Sequence, residues 1–251
     1  MIYFVGAGSG APDLITVRGA NLIARADVIV YAGSLVNPEL LAGRKEGCEV
    51  YDSSKMTLEE VLAVMVPAAR EGKTVVRLHT GDPCVYGAHR EQMDALDTEG
   101  IPYEVCPGVS SFCGAAAALK AEYTLPGVSQ TVILTRMEGR TPVPERERIE
   151  ALAAHGASMV IFLSAGRLGE LSGRLIEGGY SPDTPAAIVY KATWPEEKVV
   201  RTTVSGLEDA ARREGITKTA LITVGGFLGG GYERSKLYDP AFTTGCREAS
   251  Q

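Results

Sequence analysis

TLEEVLAVMVPAAREGKTVVRLHTGDP, residues 57–83, holds the alternation that decides the fold. Thr57 is followed three positions later by Glu60, the capping-box pair that satisfies the first free N–H groups of a helix. Helical character runs from there toward Gly72, and Pro67 inside it is a point for a kink or an early end. Residues 74–79 then turn to Thr-Val-Val-Arg-Leu-His, a run that reads as a buried strand. The strand leads into Thr80-Gly81-Asp82-Pro83, whose Gly and Pro mark a turn.

Outward from this stretch the same alternation recurs. Ile2–Gly6, Val28–Tyr31, Glu49–Asp52 and Tyr103–Cys106 are rich in Val, Ile and Tyr and also read as buried strands. Residues 108–119 read as a helix of small side chains. Strands alternating with helical stretches imply an α/β fold with a mostly parallel sheet covered on both faces. Thr124-Leu125-Pro126-Gly127 reads as a turn, which places the domain junction between residues 1–121 and 122–251. In the second half, strands are expected at 131–135, 158–163, 186–190, Lys198–Thr203 and Ala220–Val224. Only a short linker holding Trp194-Pro195 separates Tyr190 from Lys198. It is too short for a crossover helix, so that pair is expected to be antiparallel and the second sheet mixed. The tail after Gly229-Gly230-Gly231 is expected to be irregular.

Composition bounds the function. A hydrophobic fraction of 45% with 22% charged residues describes a chain with a core rather than a disordered one. The net charge of −6 argues against a general nucleic-acid or membrane-surface binder. Cys48, Cys84, Cys106, Cys113 and Cys246 form an odd set without a CxxC pair, and His79, His89 and His155 are scattered. No disulfide framework or metal site is expected, and a reducing cytoplasm fits best. The chain runs straight into a strand-like segment without a basic leader, and no apolar run approaches the ~20 residues of a membrane span. A cytoplasmic protein is the expectation.

In a parallel sheet, ligands bind beyond the carboxyl ends of the strands. Four unusual loops leave those ends: residues 6–10, 32–35, 80–83 and 107–111. The first, Gly6-Ala7-Gly8-Ser9-Gly10, invites a dinucleotide-binding reading. Its spacing is GxGxG, however, and the acid at the right distance, Asp27, precedes the second strand where a ribose-binding acid follows it. Asp82 in the third loop would repel phosphate and suits a ligand carrying hydroxyls or positive charge. Its bland alternative is the cap of a helix starting near Tyr86.

The motifs GAGSGAPDLIT at 6–16, RLHTGDPCVYG at 77–87 and CPGVSSFCGAAAA at 106–118 resemble those of the tetrapyrrole (corrin/porphyrin) methylases, and the resemblance covers nearly the whole chain. YAGSLV at 31–36, TLPGVSQTVILTRMEGRTPVP at 124–144, WPEEKVVRTT at 194–203 and SKLYD at 235–239 resemble the branch that methylates precorrin-4 at C-11 in cobalamin biosynthesis. The resemblance implies two α/β domains with a ligand cleft between them, a homodimer, S-adenosylmethionine as methyl donor and an anionic tetrapyrrole substrate. Carried over by position, the cofactor contacts fall on Ser9, Gly81, Asp82, Val85, Ser110, Ser111, Leu163, Ala192 and Thr219. Ser110 and Ser111 are alternatively helix N-caps, and Leu163 and Ala192 strand-end core residues. Uroporphyrinogen methylases carry Asp in a YDxLV pattern where this chain has Ala32, which argues against uroporphyrinogen III as substrate. The cobalt-chelated form of precorrin-4 is the alternative substrate.

Methyl transfer from a sulfonium needs alignment and exclusion of water more than a strong base, so no catalytic acid or base is assigned. His79 reads as a structural residue. The macrocycle's carboxylates suit Arg18, Arg90, Arg136, Arg140 and Lys191, each of which is alternatively a solvated surface charge. Arg136 and Arg140 are favoured because they follow a strand end. Two readings compete from other classes: a nicotinamide-dependent oxidoreductase and a non-catalytic tetrapyrrole- or nucleoside-binding module.

Overall fold

Five strands of the first half pair side by side: β1 (Ile2–Gly6), β2 (Val28–Tyr31), β3 (Glu49–Asp52), β4 (Val75–His79) and β5 (Tyr103–Cys106). This computed structural model describes residues 1–33 and 35–250; Ser34 and Gln251 lie outside the described residues. The sheet order is β3-β2-β4-β1-β5, and every pairing is parallel. Helices α1 (Val17–Arg25), α2 (Leu58–Arg70), α3 (Arg90–Thr98) and α4 (Ser111–Leu119) alternate with the strands. The β2–β3 return instead uses a 3-10 segment, Pro38–Gly43.

The capping box of α2 forms in full: Glu60 N–H donates to Thr57 Oγ1 at 3.3 Å, and Thr57 N–H to Glu60 Oε2 at 2.7 Å. Pro67 does not end the helix, which continues to Arg70. The period-2 alternation of β4 sends its side chains into two cores. Val76 and Leu78 join Val5, Leu22, Ile23 and Ile29, whereas Val75 joins Ile2, Phe4, Val30, Met65 and Leu96. Each large side chain so buried contributes roughly 1.5–3 kcal/mol. The buried-strand expectation fails for β3 and β5. They are the two edges of the sheet, and Glu49, Asp52, Glu104 and Val105 are exposed. An edge strand has one neighbour, and charged side chains there also guard it against further pairing.

The second half forms β6 (Val132–Arg136), β7 (Ser158–Phe162), β8 (Pro185–Tyr190), β9 (Lys198–Thr203) and β10 (Ala220–Val224) in the order β6-β7-β10-β8-β9. Only β6–β7 is parallel; β10 pairs antiparallel with β7 and β8, as β8 does with β9, so the sheet is mixed. Helices α5 (Ile149–Ala153), α6 (Leu168–Glu177) and α7 (Leu207–Glu214) bring Ile149, Leu171, Leu175 and Leu207 into one core with Met159, Ile161, Ile188 and Ile222.

The chain divides into two compact units, Met1–Ala115 with Lys191–Glu197, and Ala116–Tyr190 with Lys198–Gln251. The β8–β9 connection therefore packs as part of the first unit. No helix among the described residues is long and apolar enough to cross a membrane.

Candidate functional site

Because all five strands of the first sheet run the same way, the loops after β1, β4 and β5 leave one edge, where they meet backbone against backbone. A Cβ on Gly6 would stand 2.5 Å from Gly108 Cα and 2.6 Å from the Gly81 carbonyl oxygen. Gly8 and Gly81 form a two-way bridge, N–H to carbonyl, at 3.2 and 2.9 Å. Gly81 holds φ +62°, a conformation that suits glycine.

Asp82 locks two of these loops. Its Oδ1 accepts from Cys84 N–H and its Oδ2 from Gly108 N–H, each at 2.8 Å. Partial burial works against its charge, but the bonds from Cys84 and Gly108 outweigh it and hold the pKa below the ordinary value. The cap reading of Asp82 fails, because no helix starts near Tyr86. Tyr86 and Ala88 are left-handed, and α3 starts only at Arg90.

The glycine loop is equally occupied. Ala7 N–H donates to the His79 carbonyl at 2.7 Å, Gly8 N–H to Gly81, and Ala11 N–H to Thr193 Oγ1 at 3.0 Å. The Gly10 carbonyl accepts from Asn37 Nδ2 at 3.0 Å. A pyrophosphate cradle needs free N–H groups, and these three are engaged. Asp27, the acid a dinucleotide reading would need, instead accepts from Lys45 Nζ and Thr74 N–H.

Behind this edge, His79 is 4% exposed and packs against the rings of Phe4 and His89. Burial, then the charges of Arg77 and His89, push its pKa down to about 3 against a hydrogen bond to Gly87. It is a neutral imidazole, in keeping with a structural role.

Of the expected cofactor residues in this unit, Ser9 and Ser110 are buried, Val85 and Ser111 half-buried, and Ala192 buried. Ser9 Oγ lies 3.1 Å from Thr193 Oγ1. Among the expected cations, Arg18 is exposed in the first turn of α1, and Arg90 pairs with Asp94 at 2.5 Å. Lys191 lies 3.4 Å from Glu196 and over the Trp194 ring.

The second unit gathers its own expected residues. Arg136 ends β6 opposite Phe162 in register, Leu163 follows Phe162, and Thr219 immediately precedes β10, which is antiparallel to β7. All three therefore lie at one end of the second sheet. Leu163 (φ +53°) and Thr219 (φ +56°) are left-handed, and Leu163 is 73% exposed. Leu163 is thus no core residue. A bulky or β-branched residue in that conformation costs on the order of 1–2 kcal/mol, strain that tends to gather at ligand sites. Arg136 turns back on its own loop, donating to the carbonyls of Met137, Thr141 and Pro142. Arg140 is exposed. Sequence reasoning missed Asn37 and Thr193; the WP dipeptide beside Thr193 read only as a linker.

The family of Tetrapyrrole (Corrin/Porphyrin) Methylases matches residues 1–208. A cobalt-precorrin-4 C(11)-methyltransferase of Methanocaldococcus jannaschii is 53% identical over 242 residues, 96% of this chain and 93% of that protein. A precorrin-4 C(11)-methyltransferase of Mycobacterium tuberculosis is 45% identical over 242 residues, 96% of each. Among solved structures, a cobalt precorrin-4 methyltransferase of cobalamin biosynthesis gives a TM-score of 0.89 at 52% identity, covering 91% of this chain and 96% of its own. A uroporphyrin-III C-methyl transferase of Thermus thermophilus, complexed with S-adenosylhomocysteine, gives 0.75 at 26% identity, covering 93% and 95%. This chain is a methyltransferase and belongs to the tetrapyrrole (corrin/porphyrin) methylase family.

Proposed function

We propose that the chain transfers a methyl group from S-adenosylmethionine to C-11 of precorrin-4 in its cobalt-containing form, a step of cobalamin biosynthesis. The observation that carries the donor assignment is the first sheet's carboxyl edge. The N–H groups of Ala7, Gly8 and Ala11 are engaged within the protein, while Asp82 keeps its negative charge. Such an edge disfavours phosphate and suits a ligand with hydroxyls, an ammonium and a sulfonium. The S-adenosylhomocysteine complex of a relative points the same way. The Asp82 turn, Ser9, Ser110 and Ser111 are the groups that would hold the donor from this unit. Leu163, Ala192 and Thr219 join them on the strength of the resemblance. The higher identity to the relative named for the cobalt substrate, 53% against 45%, favours the cobalt form over the metal-free one.

When bound, S-adenosylmethionine supplies a methyl group on a cationic sulfur whose leaving group is neutral. The residues of the chain then have to align the acceptor carbon and exclude water. That carbon becomes quaternary and has no hydrogen to surrender. The positive charge the macrocycle gains would be relieved by loss of a proton from elsewhere on it, so the transfer demands no strong general base at that carbon. Asp82 already accepts a bond at each oxygen, and His79 has a pKa of about 3, so neither is suited to be one. The proposal includes a homodimer working in the cytoplasm, and sedimentation velocity at twice the chain mass checks the dimer.

The test offers labelled donor with cobalt-precorrin-4, precorrin-4 and uroporphyrinogen III in parallel. Label should enter cobalt-precorrin-4 fastest and uroporphyrinogen III not at all. Label on uroporphyrinogen III alone, or on no macrocycle, would overturn the assignment.

A further inference from the structure

The β8–β9 connection, Lys191–Glu197, is built around a residue that no part of the proposed function has used. Lys191 (φ +45°) and Thr193 (φ +67°) are both left-handed without being glycine, and Thr193 is β-branched, the residue type least suited to that region. The turn is nevertheless closed tightly: Trp194 N–H donates to the Lys191 carbonyl at 3.0 Å, and Thr193 N–H to Glu197 Oε2 at 2.6 Å. Strain held in place by surrounding bonds asks what the strained side chain does.

Thr193 Oγ1 accepts from Ala11 N–H at 3.0 Å and shares a hydrogen bond with Ser9 Oγ at 3.1 Å. One hydroxyl thus spans Gly10 on both sides. Gly10 has no room for a side chain, because a Cβ there would collide with the Trp194 indole. Its carbonyl is held by Asn37. Thr193 Oγ1 accepts from Ala11 through one lone pair, and its bond with Ser9 Oγ is one that either hydroxyl can donate. In either direction Ser9 keeps one polar function for a ligand: its O–H when Thr193 donates, a lone pair when Ser9 donates.

We propose that Thr193 is a positioning residue of the donor site. Its hydroxyl fixes the loop from Gly8 to Ala11 and orients the Ser9 hydroxyl for contact with a polar group of S-adenosylmethionine. The inference rests on the reading of this edge as the donor site.

The test compares Thr193→Val, which keeps the shape and removes the hydroxyl, with Thr193→Ser, which keeps the hydroxyl. Calorimetry with S-adenosylhomocysteine reads affinity, and steady-state kinetics separate donor KM from kcat. Removing the two bonds should weaken S-adenosylhomocysteine about tenfold and raise donor KM by a similar factor, with kcat at saturation within about twofold. Thr193→Ser should stay within about twofold of the parent throughout. If Thr193→Val yields no folded protein, Thr193→Cys, which replaces the hydroxyl with a weak donor, carries the same expectation. Unchanged affinity in Thr193→Val or Thr193→Cys, or an equal loss in Thr193→Ser, overturns the role of Thr193. A parent protein that binds no S-adenosylhomocysteine overturns the donor-site reading itself.

Discussion

The carboxyl edge of the first sheet and the Arg136–Leu163–Thr219 end of the second are built on opposite principles. At the first, glycines let three loops touch through their backbones, and main-chain N–H groups and the Asp82 carboxylate engage one another. At the second, side chains too large for their left-handed backbone stand exposed. At the first end, Gly6 and Gly108 leave no room for anything larger than hydrogen. Both units hold left-handed non-glycine residues, but at the second end the strain sits in exposed side chains that a stability-optimised protein would replace. The difference separates a wall closed by its own backbone contacts from an end that carries its strain in exposed side chains.

Substitution breaks or sharpens this contrast most directly at two positions. In Gly108→Ala, the new Cβ would stand 2.7 Å from Gly6 Cα and closer still to the Gly81 carbonyl oxygen, both backbone atoms that cannot rotate away. The variant should lose about 3 kcal/mol, read as a fall of roughly 6–12 °C in the melting midpoint. Leu163→Gly should do the reverse for stability, leaving it unchanged or raising it by up to about 1 kcal/mol as the left-handed strain is relieved. Its donor KM should nevertheless rise. Similar destabilisation in both variants would remove the distinction between the two ends.

A smaller effect comes from pH. The folded-state pKa of His79, about 3, lies below the ordinary value of 6.5. As pH falls below 6.5 the unfolded chain binds a proton there and the folded chain does not, so stability drops with acidification until pH approaches 3. From pH 7 to pH 5 the loss should be about 2 kcal/mol. His89, also lowered by burial against the opposing charge of Asp82, acts with the same sign. Denaturant titrations at the two pH values should show a shallower dependence in His79→Phe, which keeps a ring against Phe4. An unchanged slope would mean that His79 is not the buried neutral group.

The strands were legible because β-branched runs and the Thr57–Glu60 pair are local signals, and each strand of the first sheet occurs close to where those signals place it. Exposure of β3 and β5 was not legible, since an edge position depends on which strands pair. Asp82 was ambiguous for a chemical reason: one carboxylate suits a helix cap and a loop clamp equally, and only the start of α3 at Arg90 separates them. Thr193 was beyond reach. Its partners Ser9 and Ala11 are more than 180 residues away, and nothing in the local chain marks the return of Lys191–Glu197 to the first unit.

Arg136 and Arg140 looked equivalent as cations after a strand end, but their surroundings divide them. The Arg136 guanidinium donates to three carbonyls of its own loop, so its charge maintains the turn that carries Arg140. Arg140 is exposed and keeps a planar fork suited to a carboxylate. Arg140→Gln should raise the macrocycle KM about fivefold, the size of one exposed charge pair, and leave S-adenosylhomocysteine affinity and the melting midpoint alone. Arg136→Gln should lower the melting midpoint by about one or two degrees, on the order of 0.5 kcal/mol because water reaches most of the freed carbonyls, and weaken macrocycle binding only through loosening of the loop. The two variants are told apart by the double substitution. If Arg136 acts by placing Arg140, removing both should cost the macrocycle no more than removing Arg140 alone. Additive losses in KM would instead give Arg136 a direct contact of its own and return the two arginines to one role.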